Sequence, residues 1–349
     1  MKRWVGAIGI AVGCLLAAGA SAAEETIDTI DTYGLGKLSR ETVLEAAGLH
    51  AGDRLPRVEE FDGIERKLKA IPGVEDADVS VVHVARQRSP PGSMEPTVYV
   101  GIREAGRPGV SFRAAPTSDV TLPDEVVDAY RRFEAAWMNS IRYDRRGEDD
   151  SNGYALFGDD ATREIQKQFV PLAERHFDRL ADVLRTAKNT DRRAAAAWVI
   201  AYASDKTKAA AELDAAVRDP NPQVRNNAMR GLAVILGYAA KHPELKIDAP
   251  IDSYFDLLES VEWTDRNKAM AVLGELSADG NEPVLTKLRT RSLPALVEMA
   301  RWQTEGHAMM ALMLVGRIAG LTGDEVIEAC KAGKREEVIA WATAAAKGE

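Results

Sequence analysis

Apolar positions along this chain follow three rhythms, and each predicts a different kind of structure. Up to about residue 112 short alternating runs are separated by helical ones. Residues 27–33 form a strand pattern that Gly34-Leu35-Gly36 turns, and Ser39 caps a helix over 40–47 that Gly48 closes. A second helix fits 61–70, with Ile64 and Leu68 on one face and Pro72-Gly73 ending it. Strands follow at 77–85, where Val79, Val81 and His83 alternate with Ser80, Val82 and Val84, and at 97–103. Between them, residues 87–96 hold three prolines and a glycine and predict a mobile loop.

The second rhythm begins after a Pro/Thr/Ser-bearing linker at 113–122. Pro123 suits a first helical position, Asp124 and Glu125 favour a helix N-terminus, and Val127, Tyr130, Phe133 (or Glu134) and Trp137 recur at helical spacing to about residue 141. Another helix is predicted from about 160 through 169, with Pro171 breaking it before 172–186. Residues 144–160, DRRGEDDSNGYALFGDD, are the most polar stretch and predict a solvated acidic loop.

The third rhythm occupies 190–349. DPNPQVRNNAMRGL, residues 219–232, carries a Pro-bearing turn followed by a helix with Ala228 and Leu232 on one face. Ala269 and Leu273, Ala308 and Leu312, and upstream Ala195 and Val199 fit the same places, at spacings of 33, 41 and 39 residues. Helices at 206–218, 251–260 and 283–302 (broken near Pro294) precede these turns, and 307–321, 324–332 and 335–345 complete the set. Small residues at a crossing let helices approach closely, and a pair that cannot bury its own stripe must stack on neighbours.

The first rhythm resembles a POTRA domain. The residues that carry the resemblance are Gly34, Ser39-Arg40-Glu41, Ala47-Gly48-Leu49-His50-Ala51-Gly52-Asp53, Ile64 with Leu68, Ile71-Pro72-Gly73-Val74, and Val98-Tyr99-Val100-Gly101-Ile102-Arg103-Glu104. Such domains occur in outer-membrane assembly, two-partner secretion and cell-division proteins, and the resemblance implies polypeptide binding by strand addition at a sheet edge. No alternating strands of a downstream barrel follow, so insertase activity is not expected. The third rhythm resembles HEAT or armadillo repeats, with Asp219, Val224 and Arg225 at that family's turn acid, core valine and basic residue. Ser260 and Asp265 replace Asp219 and Val224 in the next unit, which predicts a partial Asp–Arg ladder. The expected fold is therefore multidomain: a small β-α-α-β-β POTRA-like α+β domain at 23–112, a linker, a helical region at 123–189, and an all-α α-solenoid of HEAT-like helix pairs at 190–349.

Composition narrows the function classes. A hydrophobic share of 46% and a charged share of 28% fit a soluble globular chain. A net charge of −9 disfavours nucleic acid, because no excess of Lys and Arg is present to neutralise phosphates. Lys2-Arg3, an apolar run from Val5 to Gly19 and Ala20-Ser21-Ala22 predict a signal peptide over 1–22, hence export to a Gram-negative-type periplasm. An uncleaved anchor and lipid attachment at Cys14 are the alternatives. Cleavage leaves Cys330 as the one thiol, expected as a small buried apolar residue without a disulfide.

Candidate chemistry is sparse. Glu148, Asp150, Asn152 and Asp159 imitate the spacing of a calcium loop around Gly153, but Glu stands first and the shorter Asp twelfth. Gly34-Leu35-Gly36-Lys37 lacks the glycine at 31 and the hydroxyl at 38 that a phosphate loop needs. The histidines, His50, His83, His176, His242 and His307, have no metal-binding spacing, and no nucleophile elbow is present. The Met-rich run 308–313 is expected in the core, and no cofactor is expected. Trp263 and Trp302, in predicted turns, are either partner contacts or buried staples. The function these features predict is a non-enzymatic envelope adaptor that grips partner proteins through a sheet edge and a repeat surface. The alternative is an exported enzyme or ligand- or calcium-binding protein with its site within 113–189.

Overall fold

The computed structural model describes residues 25–84, 95–142, 147–247, 251–278 and 280–348. The expected signal peptide at 1–22, with its anchor and lipid-attachment alternatives, and most of the proline-bearing loop lie outside them. A small mixed sheet is followed by a helical region. β1 (Thr29–Tyr33), α1 (Arg40–Ala47), α2 (Val58–Lys69), β2 (Val74–Val84) and β3 (Glu95–Glu104) come first. The sheet order is β1-β3-β2, with β1 parallel and β2 antiparallel to β3. Ser39 caps α1 by accepting from Thr42 N–H, and Gly48 closes it at φ 69°.

Both faces of the sheet are covered, as the alternation of a strand requires when neighbours lie on each side. Val79, Val81, Val98, Val100, Ile102 and Ile30 pack with Val43, Ala47, Ile64 and Leu68 of α1 and α2. The opposite residues, Tyr33, Val82 and Tyr99, join the large core of the helical region.

That region comprises α3 (Asp124–Arg142), a hairpin of β4 (Glu148–Asp149) and β5 (Leu156–Phe157), α4 (Asp160–Thr186), α5 (Thr190–Ile200), α6 (Lys206–Ala216), α7 (Pro222–Ala239), α8 (Asp252–Leu257), α9 (Trp263–Leu276), α10 (Glu282–Lys287), α11 (Leu293–Ala300), α12 (Glu305–Ile318), α13 (Gly323–Lys331) and α14 (Arg335–Lys347). Helices α5, α7, α9, α12 and α14 pack side by side in that order, and α4, α6, α8, α11 and α13 each pack on a member of that row. Among the described residues no helix is long and apolar enough to cross a membrane.

Four features depart from the sequence expectation. Pro171 does not end its helix: α4 runs through it and kinks at His176 (φ −118°, ψ 17°), because buried Phe169, Leu172 and Ala173 hold both sides of the proline in the core. The break near Pro294 is a wide turn at Leu288–Ser292, after which Pro294 sits in the first turn of α11, where its missing N–H costs nothing. The 113–122 linker is a strap laid along the helix turns. Arg113 N–H donates to Arg218 O at 2.8 Å, Ser118 N–H to Thr186 O at 3.0 Å, and Lys188 N–H to Ser118 O at 2.7 Å.

The register of the repeats also shifts. Counted from the N-caps Asn189, Asn221, Glu262 and Thr304, the seventh helical residues are Ala196, Ala228, Ala269 and Ala311, all fully buried. The sequence pattern places Ala195 and Ala308 there, one and three residues too early, because the alanine and methionine runs offer several equivalent matches. The fourth positions are Arg193, Arg225 and Arg266, and each guanidinium donates to the carbonyl two residues before its own N-cap: Ala187, Asp219 and Ser260. Each then reaches a carboxylate of the next unit: Asp219 at 2.9 Å, Asp265 at 2.8 Å and Glu298 at 3.5 Å. The ladder has three rungs, and the expected gap at Ser260 is filled by Asp265, which Ser260 Oγ–H also reaches at 2.8 Å.

Candidate functional site

Within the described part of the acidic stretch, Ala155, Leu156 and Phe157 are buried in the core while Ser151 and Asn152 stay exposed. Phe157 lies 6.1 Å from Phe133 and 6.2 Å from Trp137, centroid to centroid. Gln166 accepts from Phe157 N–H at 2.7 Å and donates to Ala155 O at 2.9 Å, which fixes the hairpin on α4. Tyr154 stacks on Tyr202 at 5.3 Å. The apolar run Tyr154-Ala155-Leu156-Phe157 outweighs the flanking acids and draws the hairpin inward.

Under this hairpin lies a cleft of about 20 Å³, room for about one water, lined by Tyr154, Trp198, Tyr202, Asn227, Arg230 and neighbours. Arg230 of α7 is 3% exposed. Its Nη2 meets Glu148 Oε1 at 2.5 Å, its guanidinium lies 5.0 Å from the Trp198 ring and 5.2 Å from that of Phe157, and its Nη1 has no hydrogen-bond partner. Lys206 stands at the Tyr154 side, its ammonium 4.9 Å from that ring and donating to Ala201 O at 3.2 Å, and burial lowers its pKa to about 8. Lys268, fully buried on α9, is pushed far below the ordinary lysine range by burial and then by the Arg230 charge. Gly153 (φ +71°) makes the turn that closes the hairpin, where a Cβ would stand 2.9 Å from Lys206 Cε.

The four calcium-loop candidates do not converge. Glu148 is turned to Arg230, and Asp159 caps α4 by accepting from Thr162 N–H at 3.0 Å. Asp150 O accepts from Gly153 N–H at 3.0 Å in the hairpin turn, and Asn152 donates to Ser151 Oγ at 3.4 Å. Among the described residues no group of three or more His, Cys, Asp or Glu is placed to hold a metal ion. Four histidines pair locally with carboxylates: His50 with Asp53, His83 with Glu25, His176 with Glu125 and His242 with Glu244. Cys330 is half-buried, with its thiol pushed up by that burial.

His307 belongs to the second notable cluster, between sheet and helices. Trp263 and Trp302 are staples, 1% and 2% exposed. Tyr99 stacks on Trp263 at 4.9 Å and meets Trp302 edge-on at 5.2 Å, and its hydroxyl shares a 2.5 Å hydrogen bond with His307 Nδ1. Burial, then the Lys268 charge, lowers the His307 pKa to about 3. Asp31 accepts from Gln303 and Thr304 N–H, and Tyr33 O–H donates to Val261 O at 2.6 Å. Asp78 and Glu262, half-buried on facing elements, both have raised pKa values, first through burial and then through a neighbouring carboxylate: Glu65 for Asp78, and Asp78 for Glu262.

The row of helices is thus covered at α5, α7, α9 and α12. α3 lies on α5 through Tyr130, Phe133 and Trp198, the hairpin covers α7, and the sheet covers α9 and α12. Residues 224–237 of α7 are all buried. The sequence reading missed Trp198, Tyr202, Asn227 and Arg230. Its available signal was the polar run Asn226-Asn227 with Arg230 on a helix otherwise apolar all round. No family model matches this chain, and no curated protein matches it significantly.

Proposed function

We propose that this chain is a non-enzymatic, exported scaffold of the cell envelope, in which a POTRA-like sheet is mounted on a HEAT-like α-solenoid and recruits a partner polypeptide at its β2 edge. Support for the POTRA-like reading is the β-α-α-β-β order with β3 central. Support for the solenoid reading is the paired packing of successive helices, with Ala at the seventh helical position of α5, α7, α9 and α12 and Arg at the fourth position of the first three. The repeat surface that would grip a partner is filled by the chain's own sheet and hairpin, which moves the weight of this reading to the sheet edge.

One observation carries it. Val79 N–H turns outward to Glu65 Oε1 at 3.4 Å, so by strand alternation the N–H groups of Val81 and His83 also point away from β3. The β1 edge is occupied, since Ile30 O accepts from both Arg40 and Gln303. In-vivo crosslinking from β2 with mass spectrometry tests the reading. Val81→Pro, which removes an outward donor without breaking the β2–β3 ladder, is expected to abolish the crosslinked partner while thermal unfolding stays cooperative. An unchanged partner set would remove the edge from consideration.

The cleft beside Arg230 favours a second reading, a ligand-binding protein with its site at 113–189 and the adjoining helices. The observation behind it is Arg230, 3% exposed, whose Nη1 has no hydrogen-bond partner at the edge of that cleft.

A further inference from the structure

We infer that the β2 edge selects a basic strand: the polypeptide segment that adds there carries a Lys or Arg beside Asp78, where it meets the carboxylates of Asp78 and Glu262. This preference rests on the strand-docking reading of the edge and names the chemistry of its partner.

Acids gather on both faces of one stretch of this edge. Asp78 lies opposite Gly101 of β3, against which the Val261 carbonyl is packed. That contact brings the next residue, Glu262, to Asp78, whose charge is the strongest acting on it. Both carboxylates are half-buried, and Asp78 accepts from Ser80 Oγ–H at 2.6 Å. Among the described residues no basic side chain forms an ion pair with either. Arg225, whose charge reaches Glu262, is committed to Asp265 at 2.8 Å. On the α2 face, Glu65 covers the outward Val79 N–H at 3.4 Å, longer than a well-formed bond, and Asp76 covers that of Ala77 at 3.0 Å. Lys69 serves both of these acids, at 4.0 and 3.1 Å. The charge balance of the edge therefore favours a cation.

An added strand places its side chains by the alternation of β2. Cross-strand neighbours share a face with their Cβ atoms about 4.5–5.5 Å apart, so the residue beside Asp78 arrives at Asp78 and Glu262. The residue next to it in sequence lies beside Val79, on the face of Glu65. A cation at the first position supplies the charge that the Asp78–Glu262 pair lacks. A cation at the second draws Glu65 off the Val79 N–H and leaves that donor to the incoming carbonyl. A strand with two consecutive basic residues therefore fits better than a neutral one, and an acidic strand is repelled. The same rule disfavours a second copy of this chain. Its own β2 would bring Asp76 and Asp78 among these acids, and like charges across a strand pair are destabilising.

The test titrates the full chain into short, blocked, fluorescently labelled Thr/Val peptides with a central Lys-Lys, Gln-Gln or Glu-Glu step, read by anisotropy. The Lys-Lys peptide is expected to bind roughly tenfold more tightly than the Gln-Gln peptide, and the Glu-Glu peptide not to bind. Asp78→Asn combined with Glu262→Gln, which removes the charges and keeps the shapes, is expected to bring the first two affinities within about threefold while Gln-Gln binding persists. Lys-Lys binding is also expected to release protons near neutral pH, read from titration enthalpies in buffers of different ionisation enthalpy. Burial holds both carboxyls above the ordinary range until a cation arrives; Glu65, Asp76 and Asp265 add to this, and Arg225 opposes it at Glu262. Val81→Pro, or N-methylation of alternate amides in the Lys-Lys peptide, is expected to abolish binding; if the variant fails to fold, the N-methylated peptide decides. Three peptides that bind alike, and are lost alike on N-methylation, keep the edge as a docking site and overturn its preference for basic strands. Lys-Lys binding that survives both N-methylation and Val81→Pro places the cation away from the edge and overturns it as well. A wild-type dimer that Val81→Pro dissolves assigns the edge to a second copy, with the same result. Binding of no peptide overturns the preference and the edge reading together.

Discussion

Arg225 is 1% exposed and is held by the Asp265 carboxylate and by the Asp219 and Pro220 carbonyls, with the Phe112 ring 3.9 Å from its guanidinium. Losing one partner of such a pair leaves a buried charge uncompensated, which costs about 3–5 kcal/mol, whereas exposed pairs contribute about 1 kcal/mol or less. Asp265→Asn is therefore expected to lower unfolding free energy in urea by about 3 kcal/mol or more. Asp256→Asn, at a partly exposed pair with Arg218, is expected to cost about 1 kcal/mol or less. Equal losses would show that the ladder is no stronger than the surface. At this scale the sequence was only half legible. Arg225 stood out by its place after the turn, but Asp265 occupied a position where the repeat pattern expects an apolar residue. Only the fold reveals that it supplies the acid that Ser260 does not.

Among elements, the contact between β3 and the loop before α9 is set by a residue without a side chain. A Cβ on Gly101 would stand 2.0 Å from Val261 O and 2.7 Å from the Tyr33 ring. Gly101→Ala forces the sheet off the helices, at an expected cost of about 1–3 kcal/mol. Near-UV circular dichroism, which reports the Tyr99–Trp263 stack, should lose intensity while the far-UV signal persists; an unchanged near-UV spectrum would contradict this account. Most elements were legible because their periods are clean: strands β1 to β3, helix α1 and the helices after Pro222. The hairpin was not, because charged residues dominate its composition while four consecutive apolar or aromatic residues decide its position. Pro171 misled for a related reason, since tertiary burial on both sides of a proline outweighs the local break it favours.

For the whole molecule, the interface between sheet and helices carries opposing titrations. His307 has its pKa depressed to about 3 in the fold, against about 6.5 in an unfolded chain. Between those values the unfolded chain binds the proton more readily, so the His307 contribution rises with pH there, by up to about 1.4 kcal/mol per unit. Asp78 and Glu262 act with the opposite sign. Their raised pKa values mean that the fold keeps protons that the unfolded chain releases above about pH 4, so their contribution is lost as pH rises through neutrality. Glu65, Asp76 and Asp265 oppose their ionisation further, while Arg225 assists that of Glu262. Melting temperature against pH should therefore fall on both sides of a maximum. His307→Gln should flatten the acid limb and Glu262→Gln the alkaline limb. A profile unchanged by either would place the titrating groups elsewhere.

Glu298 joins these scales. Its carboxylate is the acid of the last rung, 3.5 Å from Arg266, and it also accepts from the N–H groups of Gly34 and Leu35 at the end of β1. The keystone of the helical row is therefore shared with the part that rests on it. Lifting the sheet strips Glu298 of two donors, and breaking the last rung strips the sheet of its anchor. Neither half can register a local disturbance privately: a force applied at the sheet is felt at the third rung of the ladder, some two hundred and sixty residues away along the chain.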